Sequence, residues 1–268
     1  MIELLQRVVA WLMNRVRLNR IQQGIHDGVP MIVKRRRPGA SIVIWFANRF
    51  LVLAGGGICM FVRADEWMDW EDHCAELLYP DRPDVKIGPG QSVTIPEVRG
   101  MSLRQLMHGN ETNVNALVAA AREVRRVHRL ECGYFEAAWS HGDLHLDNVL
   151  YDSDANRAVL VDFDTRHESR INQTGRHSDD LKVFLLELFA LPDNKWCQRA
   201  TVFIEEYREA SVLNELSRQL FVPLGFAKIL WYTRTNCSPT RDIEQRIQIL
   251  KETILQVAAK AGRSAGTK

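Results

Sequence analysis

Three oxygen-bearing side chains at fixed spacings constrain this 268-residue chain more than any other feature. Asp143 lies in a His-Gly-Asp-Leu-His sequence, Asn148 follows five residues later, and Asp162 comes fourteen residues after that. Two apolar runs at 149–151 and 159–161 separate Asn148 from Asp162 and predict two strands joined by a turn. We expect this order of loop, strand pair and second turn to bring the three side chains together.

Phosphoryl transfer from ATP to a hydroxyl uses such a set of groups in this order. A carboxylate beside the attacking hydroxyl can accept its proton, which is the role expected of Asp143. Mg²⁺ prefers a few hard oxygen ligands, which Asn148 and Asp162 would supply. The sequence therefore predicts an ATP- and Mg²⁺-dependent kinase. A zinc site at His141 and His145 is disfavoured, because the glycine between them argues against one shared helix face.

These motifs resemble the protein-kinase-like superfamily, and above all its small-molecule and atypical branches, which use His-Gly-Asp where protein kinases use His-Arg-Asp. His145 stands where aminoglycoside phosphotransferases often carry a histidine, which implies a cofactor-binding role. The turn at 162–164, where the metal ligand Asp162 is predicted, ends in Asp164 instead of glycine. This residue does not fit a protein-kinase style of activation switch. The implied fold is α+β and two-lobed, with a β-rich N-lobe over residues 1–98 and a mainly helical C-lobe over residues 99–259.

The lysine that contacts the nucleotide is predicted at Lys34. Two apolar strands flank an Asp-Gly pair at 27–28, which predicts a hairpin whose second strand ends at Lys34. The kinase pattern places a lysine at the end of such a strand, in reach of the α- and β-phosphates. A helix predicted over 67–78 carries its expected partner Glu71, with Glu76 as the competing acid. The alternative is that Lys34 only begins a solvated basic run.

No glycine-rich loop precedes this hairpin. Residues 14–20 contain no glycine, and the triple glycine at 55–57 follows the lysine strand. The phosphates must then be held differently, or by Arg and Lys side chains, and a catalytically silent pseudokinase stays open as an alternative. By position alone, residues 97–100 after the apolar segment 93–98 would link the lobes and present backbone groups near Glu97 and Val98 to an adenine edge.

Charged residues follow the metal turn. Asp180 looks like the aspartate that holds the catalytic-loop backbone in kinase-like folds, although a helix N-cap would also explain an acid here. A helix predicted over 113–130 carries His128, which we expect to be packed, not catalytic. Three arginines are candidates to meet an anionic acceptor or the transferring phosphate: Arg166, Arg170 and Arg176.

An insertion at 38–62 points to a more specific family within this superfamily. It contains one charge, Arg49, between uncharged runs of 11 and 13 residues, each short of the roughly 20 apolar residues that cross a bilayer. The order of four features resembles that of the lipopolysaccharide kinase family: the lysine strand, basic residues followed by a proline, the aromatic run 45–51 and a later helix that begins at Glu66. Members of that family phosphorylate heptose or Kdo sugars of the lipid-linked core.

This resemblance covers most of residues 20–190 and implies a sugar hydroxyl of an anionic glycolipid as the acceptor. It also implies a cytoplasmic enzyme with peripheral contact to the inner membrane. Two other acceptor classes stay open: small molecules, as for aminoglycoside phosphotransferases, and proteins, as for RIO-like serine/threonine kinases. The apolar insert has two interpretations as well, a membrane-interface helix or a core helix.

Charge and composition agree with this class of protein. Residues 1–50 contain nine Lys or Arg against two acids, whereas the whole chain has a net charge of +2. Such a basic part suits phosphates or an anionic surface, with a plain solvated face as the alternative, and no nucleic-acid partner is expected. Five scattered cysteines predict reduced thiols in the cytoplasm. Residues 260–268 are predicted to be a disordered tail.

Overall fold

The computed structural model of the protein describes residues 2–13, 16–26, 28–81, 85–88, 90–108, 113–191 and 195–265, and its fold is α+β. The helices are α1 (Ile2–Met13), α2 (Ala40–Leu53), α3 (Ala64–Leu78), α4 (Leu103–Met107), α5 (Val114–Val127), α6 (Gln173–Phe189), α7 (Trp196–Tyr207), α8 (Ala210–Gln219), α9 (Ala227–Arg234) and α10 (Thr240–Ala265). The strands are β1 (Asn19–His26), β2 (Val29–Arg36), β3 (Ile58–Met60), β4 (Lys86–Gly88), β5 (Ser92–Pro96), β6 (Met101–Ser102), β7 (Glu131–Cys132), β8 (Ala137–Ala138), β9 (Val149–Asp152), β10 (Arg157–Leu160) and β11 (Thr165–His167).

The predicted hairpin is present. Strands β1 and β2 pair antiparallel along their whole length, beginning with Asn19 opposite Arg36. Gly28 has a φ of 78°, the positive angle that such a turn needs, whereas Asp27 lies outside the described residues. The hairpin continues into a four-stranded antiparallel sheet of order β1-β2-β5-β4.

Strand β2 carries Lys34 into the middle of this sheet, between Ile21 on β1 and Val93 on β5. Successive side chains of a strand point to opposite faces. Lys34 and Arg36 are therefore buried, whereas Arg35 between them is exposed. Because the side chains of Lys34 and Arg36 point into the protein, the basic surface of residues 1–50 is smaller than the sequence predicts.

Helix α3 packs against the sheet through one apolar face. Trp67, Trp70, Cys74 and Leu78 recur at helical spacing and are buried. Glu71 shares this face and is only 1% exposed. The helix therefore carries a carboxylate toward the sheet, as the sequence predicts.

Most of the core lies in the helical remainder, where α5 contacts α7 and the strand pair β9–β10, and α6 contacts α7 and α8. Helix α6 begins at Gln173 because the side chain of Asn172 accepts the amide hydrogen of Gly175 at 2.8 Å. Asp180 consequently lies in the interior of α6, fully buried, and not at a helix start as predicted.

The insert at 38–62 folds as α2 followed by β3. Within α2 only Ala40, Ile44 and Leu51 are buried. Six large apolar side chains of this helix are exposed: Ile42, Val43, Trp45, Phe46, Val52 and Leu53. The helix thus rests on the protein by a narrow stripe. Among the described residues, no helix is both long and apolar enough to cross a membrane.

The carboxyl-terminal helix extends further than predicted. Buried positions at Ile243, Ile247, Leu250, Ile254 and Val257 keep helical spacing along α10, and the helix continues to Ala265. Residues 260–265 of the predicted disordered tail are therefore helical, and residues 266–268 lie outside the described part of the chain.

Candidate active site

Lys34 lies between two carboxylates. Its Nζ donates to Oε1 of Glu71 and to Oδ1 of Asp162, each at 2.6 Å. The lysine is 4% exposed. Burial opposes its charge, but the carboxylates of Asp162 and Glu71 outweigh burial and raise the pKa of Lys34. The structure therefore brings together three residues that the sequence placed in one site, whereas Glu76 does not contact the lysine.

The turn 162–164 presents two carboxylates. Asp162 has a φ of 70°, an uncommon backbone conformation for a residue other than glycine. Burial would raise the pKa of Asp162, but the charge of Lys34 lowers it overall. Asp164 accepts hydrogen bonds from Nε1 of Trp67 at 2.7 Å and from Nδ2 of Asn19 at 2.6 Å. Burial and the neighbouring Asp162 carboxylate raise the pKa of Asp164 to about 7.

Three carboxylates near this turn could share a cation. One oxygen each from Glu71, Asp162 and Asp164 lies within 4.8 Å of the others. Such clustered hard oxygens suit Mg²⁺. The sequence predicts Asp162 and Asn148 as the metal ligands, whereas Asp164 is there only a departure from the glycine pattern. An acid in a turn gives no sequence signal that it will face a neighbouring carboxylate.

Helix α6 fixes the backbone of the loop that carries Asp143. Oδ2 of Asp180 accepts the amide hydrogen of His141, and Oδ1 accepts that of Gly142, both at 2.8 Å. Gly142 has a φ of 85°, and a Cβ there would lie 3.0 Å from the carbonyl carbon of Arg166. The His-Gly-Asp sequence thus needs glycine for both conformation and space.

His141 and Asn148 orient the loop from within. Nε2 of His141 lies 3.1 Å from the carbonyl oxygen of Val161, and its Nδ1 accepts the amide hydrogen of Asp143 at 3.3 Å. Burial lowers the pKa of His141 and so keeps this ring neutral. Nδ2 of Asn148 donates to the carbonyl oxygen of Asp143 at 2.9 Å, which leaves the Asn148 amide oxygen for another partner.

Asp143 has an arginine partner that sequence analysis missed. Nη2 of Arg234, at the end of α9, donates to Oδ1 of Asp143. Nε2 of His145 lies 3.9 Å from Oδ2 of the same carboxylate. Burial would raise the pKa of Asp143, but the charge of Arg234 lowers it overall. Ninety-one residues separate the pair, and no local sequence pattern links them.

A cleft of about 570 Å³ joins these groups. Asp143, His145, Asp162 and Lys34 all line it. Four cationic side chains reach the same cleft: Arg17, Lys34, Arg104 and Arg234. The segment 16–19 that leads into β1 forms another part of its wall. The cleft therefore combines an arginine- and lysine-rich wall with carboxylates, as expected for a site that handles an anion together with a metal ion.

One of the predicted adenine contacts, the backbone amide of Glu97, is already engaged within the protein. The backbone amide of Glu97 donates to the carbonyl oxygen of Pro30 at 2.9 Å, and its side chain accepts from Nε2 of Gln23 at 2.8 Å. This amide is thus unavailable to a ligand, because it ties the end of β5 to β2. Val98 lines a second cavity of about 510 Å³, which Glu71 and Asp162 also line.

The surroundings of two further residues, Arg176 and His128, decide the roles predicted for them. Arg176 is buried and donates to the carbonyl oxygens of Ile171 and Ala138, so it supports the fold and cannot reach an acceptor. His128 is packed as expected, with Nδ1 2.9 Å from the hydroxyl of Tyr207.

Comparison with known proteins gives no matching family model and no matching curated protein.

Proposed function

We propose that the protein is an ATP-dependent phosphotransferase of the kinase-like, two-lobed type. One observation carries the proposal: Lys34 contacts Glu71 and Asp162 in the same cleft that Asp143 lines. A cation beside a metal-binding carboxylate and a potential base is the arrangement that phosphoryl transfer requires. The four-stranded sheet with α3 and the helical remainder correspond to the two lobes.

Each residue has a role in this proposal. Lys34, held by Glu71, binds the phosphates of the nucleotide. Asp143 orients the acceptor hydroxyl and accepts its proton. Asp162 and Asn148 would hold Mg²⁺, with Asp164 nearby, because their amide and carboxylate oxygens are a donor set that fits that ion. The ion, when bound, neutralises charge that develops on the phosphates.

Arginines take the place of the missing glycine-rich loop. Arg17 lines the cleft together with Lys34, and segment 16–19 leads directly into β1. Arg104 lines it as well, paired with Asp147 and Glu187. Guanidinium groups bind phosphate oxygens through paired N–H donors. The intact set of Asp143, Asn148 and Asp162 favours an active enzyme, with a catalytically silent pseudokinase as the alternative.

The favoured acceptor is a sugar hydroxyl of a lipopolysaccharide core on the cytoplasmic face of the inner membrane. The exposed apolar face of α2, with Arg49 over the ring of Trp45, supports contact with an anionic lipid surface. A small-molecule or protein acceptor is the alternative.

The test is transfer of label from γ-labelled ATP in the presence of Mg²⁺. Wild type and Asp143→Ala are each incubated with membrane glycolipid, with soluble cell protein, and alone. Label that enters glycolipid only with the wild type supports the proposal. Label in protein favours the alternative acceptor, and no Asp143-dependent turnover in any arm overturns the phosphotransferase.

A further inference from the structure

Arg234 is the last residue of α9, and its guanidinium reaches the loop that carries Asp143. Nη2 of Arg234 donates to Oδ1 of Asp143, and the two side chains are 22% and 25% exposed. A cation in the last turn of a helix also faces the negative end of the helix dipole, which favours this placement. The pair is therefore partly shielded from water, and its attraction is stronger than that of a pair on an open surface.

The position of Arg234 is set by its own helix. Trp231 and Tyr232, which precede it on α9, are 4% and 0% exposed. Helix α1 packs along α9, where the hydroxyl of Tyr232 donates to Oε1 of Glu3. Since these contacts hold α9 in place, the guanidinium approaches Asp143 from a fixed support.

The backbone and the carboxylate of Asp143 are held by different helices. Asp180 of α6 accepts the two amide hydrogens that precede Asp143 in the loop. The carboxylate keeps its freedom to rotate about the Cβ–Cγ bond, because that torsion has broad minima. Arg234 removes this freedom by holding Oδ1. Nε2 of His145 lies 3.9 Å from Oδ2, beyond hydrogen-bond distance, so Oδ2 is the oxygen left for an acceptor hydroxyl.

We propose that Arg234 is a positioning residue for Asp143 and turns Oδ2 of that carboxylate toward the acceptor hydroxyl. The inference rests on the proposed function for the reaction itself. The acceptor oxygen forms a bond to the γ-phosphorus as the bond to the bridging oxygen of ADP breaks, and the hydroxyl proton passes to Oδ2. Arg234 takes no proton and forms no bond in this step. Its contribution is geometric, because a group displaced by about 1 Å can slow a reaction about a hundredfold.

A contact with phosphate is the competing role for Arg234, because it lines the same cleft as Lys34. The two roles differ in their kinetics. A residue that orients the base acts on kcat, whereas a residue that binds phosphate acts on the affinity for Mg·ATP. Measuring kcat and this affinity separately therefore distinguishes them.

The experiment follows turnover of γ-labelled Mg·ATP by wild type, Asp143→Ala, Arg234→Ala and Arg125→Ala, with membrane glycolipid as the acceptor and with water alone. Arg125 is the matched control, because its side chain is 24% exposed, pairs with Glu206 and does not line the cleft. Arg234→Ala should lower kcat about a hundredfold and change the calorimetric Kd for Mg·ATP by less than about threefold. Arg125→Ala should change neither quantity.

Added guanidinium chloride, below concentrations that unfold the protein, should restore part of the kcat of Arg234→Ala, because the free ion can pair with the carboxylate in the vacated space. It should not raise the kcat of Arg125→Ala. Arg234→Met keeps the apolar stem and should lose kcat to the same extent, so it gives the result if melting shows that the alanine variant does not fold.

Two outcomes contradict the positioning role while the phosphotransferase stands. One is an unchanged kcat in the Arg234 variants, and the other is a loss confined to the affinity for Mg·ATP. Failure of the proposed function is visible in the wild type itself: no Asp143-dependent turnover with either acceptor overturns the phosphotransferase, and this inference with it.

Discussion

Asp180 holds Gly142 by a 2.8 Å hydrogen bond from the glycine amide to a carboxylate oxygen that is fully buried inside α6. The other oxygen of Asp180 accepts from His141. Two successive amides are thus fixed by one carboxylate, immediately before Asp143. The position of the proposed base is therefore set by a helix interior, and not by the loop alone.

Asp180→Ala should destabilise the protein by about 3–5 kcal/mol, because it leaves two buried amides without their acceptor. Denaturant unfolding measures the loss. Asp152→Ala is the control, since Asp152 accepts the amides of Asp154 and Ala155 at an exposed turn and should cost only about 1 kcal/mol. Similar losses in the two variants would contradict the proposed support of the loop.

Gly142→Ala should lower transfer activity and stability, the latter by about 1–3 kcal/mol, because its backbone is left-handed and a Cβ would press on Arg166. Gly133→Ala provides the comparison, since nothing lies within 4 Å of a Cβ there. Chemical denaturation and labelled-ATP transfer give both quantities. If the two alanine variants behave alike, the close approach at Gly142 is not what the loop depends on.

Lys34→Met should lower kcat/KM for ATP by at least about a hundredfold, because it removes the buried cation that would face the phosphates. Arg35→Met removes the adjacent but exposed cation of the same strand and should change kcat/KM little. Steady-state kinetics with varied Mg·ATP decide between them. Equal effects would indicate a general loss of basic charge instead of a specific lysine.

Stability should fall in acid through His177. This ring stacks on His128 at 3.9 Å, and burial, followed by the His128 charge, lowers the pKa of His177 to about 3. His177 therefore stays neutral in the folded state, whereas in the unfolded state it binds a proton below about pH 6.5. The free energy of unfolding that this difference contributes is present at neutral pH and is lost as the pH falls. Between pH 7 and 4 this costs on the order of 3 kcal/mol. Urea unfolding of His177→Asn across that range should show a correspondingly shallower pH dependence, and an unchanged slope would refute the assignment.

Phe46→Asp should weaken binding to anionic lipid vesicles, because Phe46 is exposed on the apolar face of α2. Leu255→Asp is the control, since Leu255 is an exposed apolar residue on α10 and not on α2. Co-sedimentation with phosphatidylglycerol-containing vesicles is the measurement. Equal retention of both variants would assign the α2 face to something other than a lipid surface.

The sequence predicted the contacts that lie within short patterns. An Asp-Gly turn between apolar strands specified the hairpin, and helical spacing placed Glu71 on the buried face of α3, so the pairing with Lys34 could be foreseen. Contacts made by tertiary packing could not. Arg234 meets Asp143 only because α9 packs near the loop, and Arg176 is buried although three arginines looked alike as acceptor contacts.

The packing of α1 on α9 has a consequence for synthesis on the ribosome. Ala10 is fully buried, and the hydroxyl of Tyr232 donates to Glu3. Helix α1 leaves the exit tunnel well before α9 and must therefore wait for this partner. Segment 16–19, which connects α1 to β1, lines the cleft, so that wall is completed only after α9 has emerged. A nascent chain thus cannot assemble the finished cleft before α9 has been made.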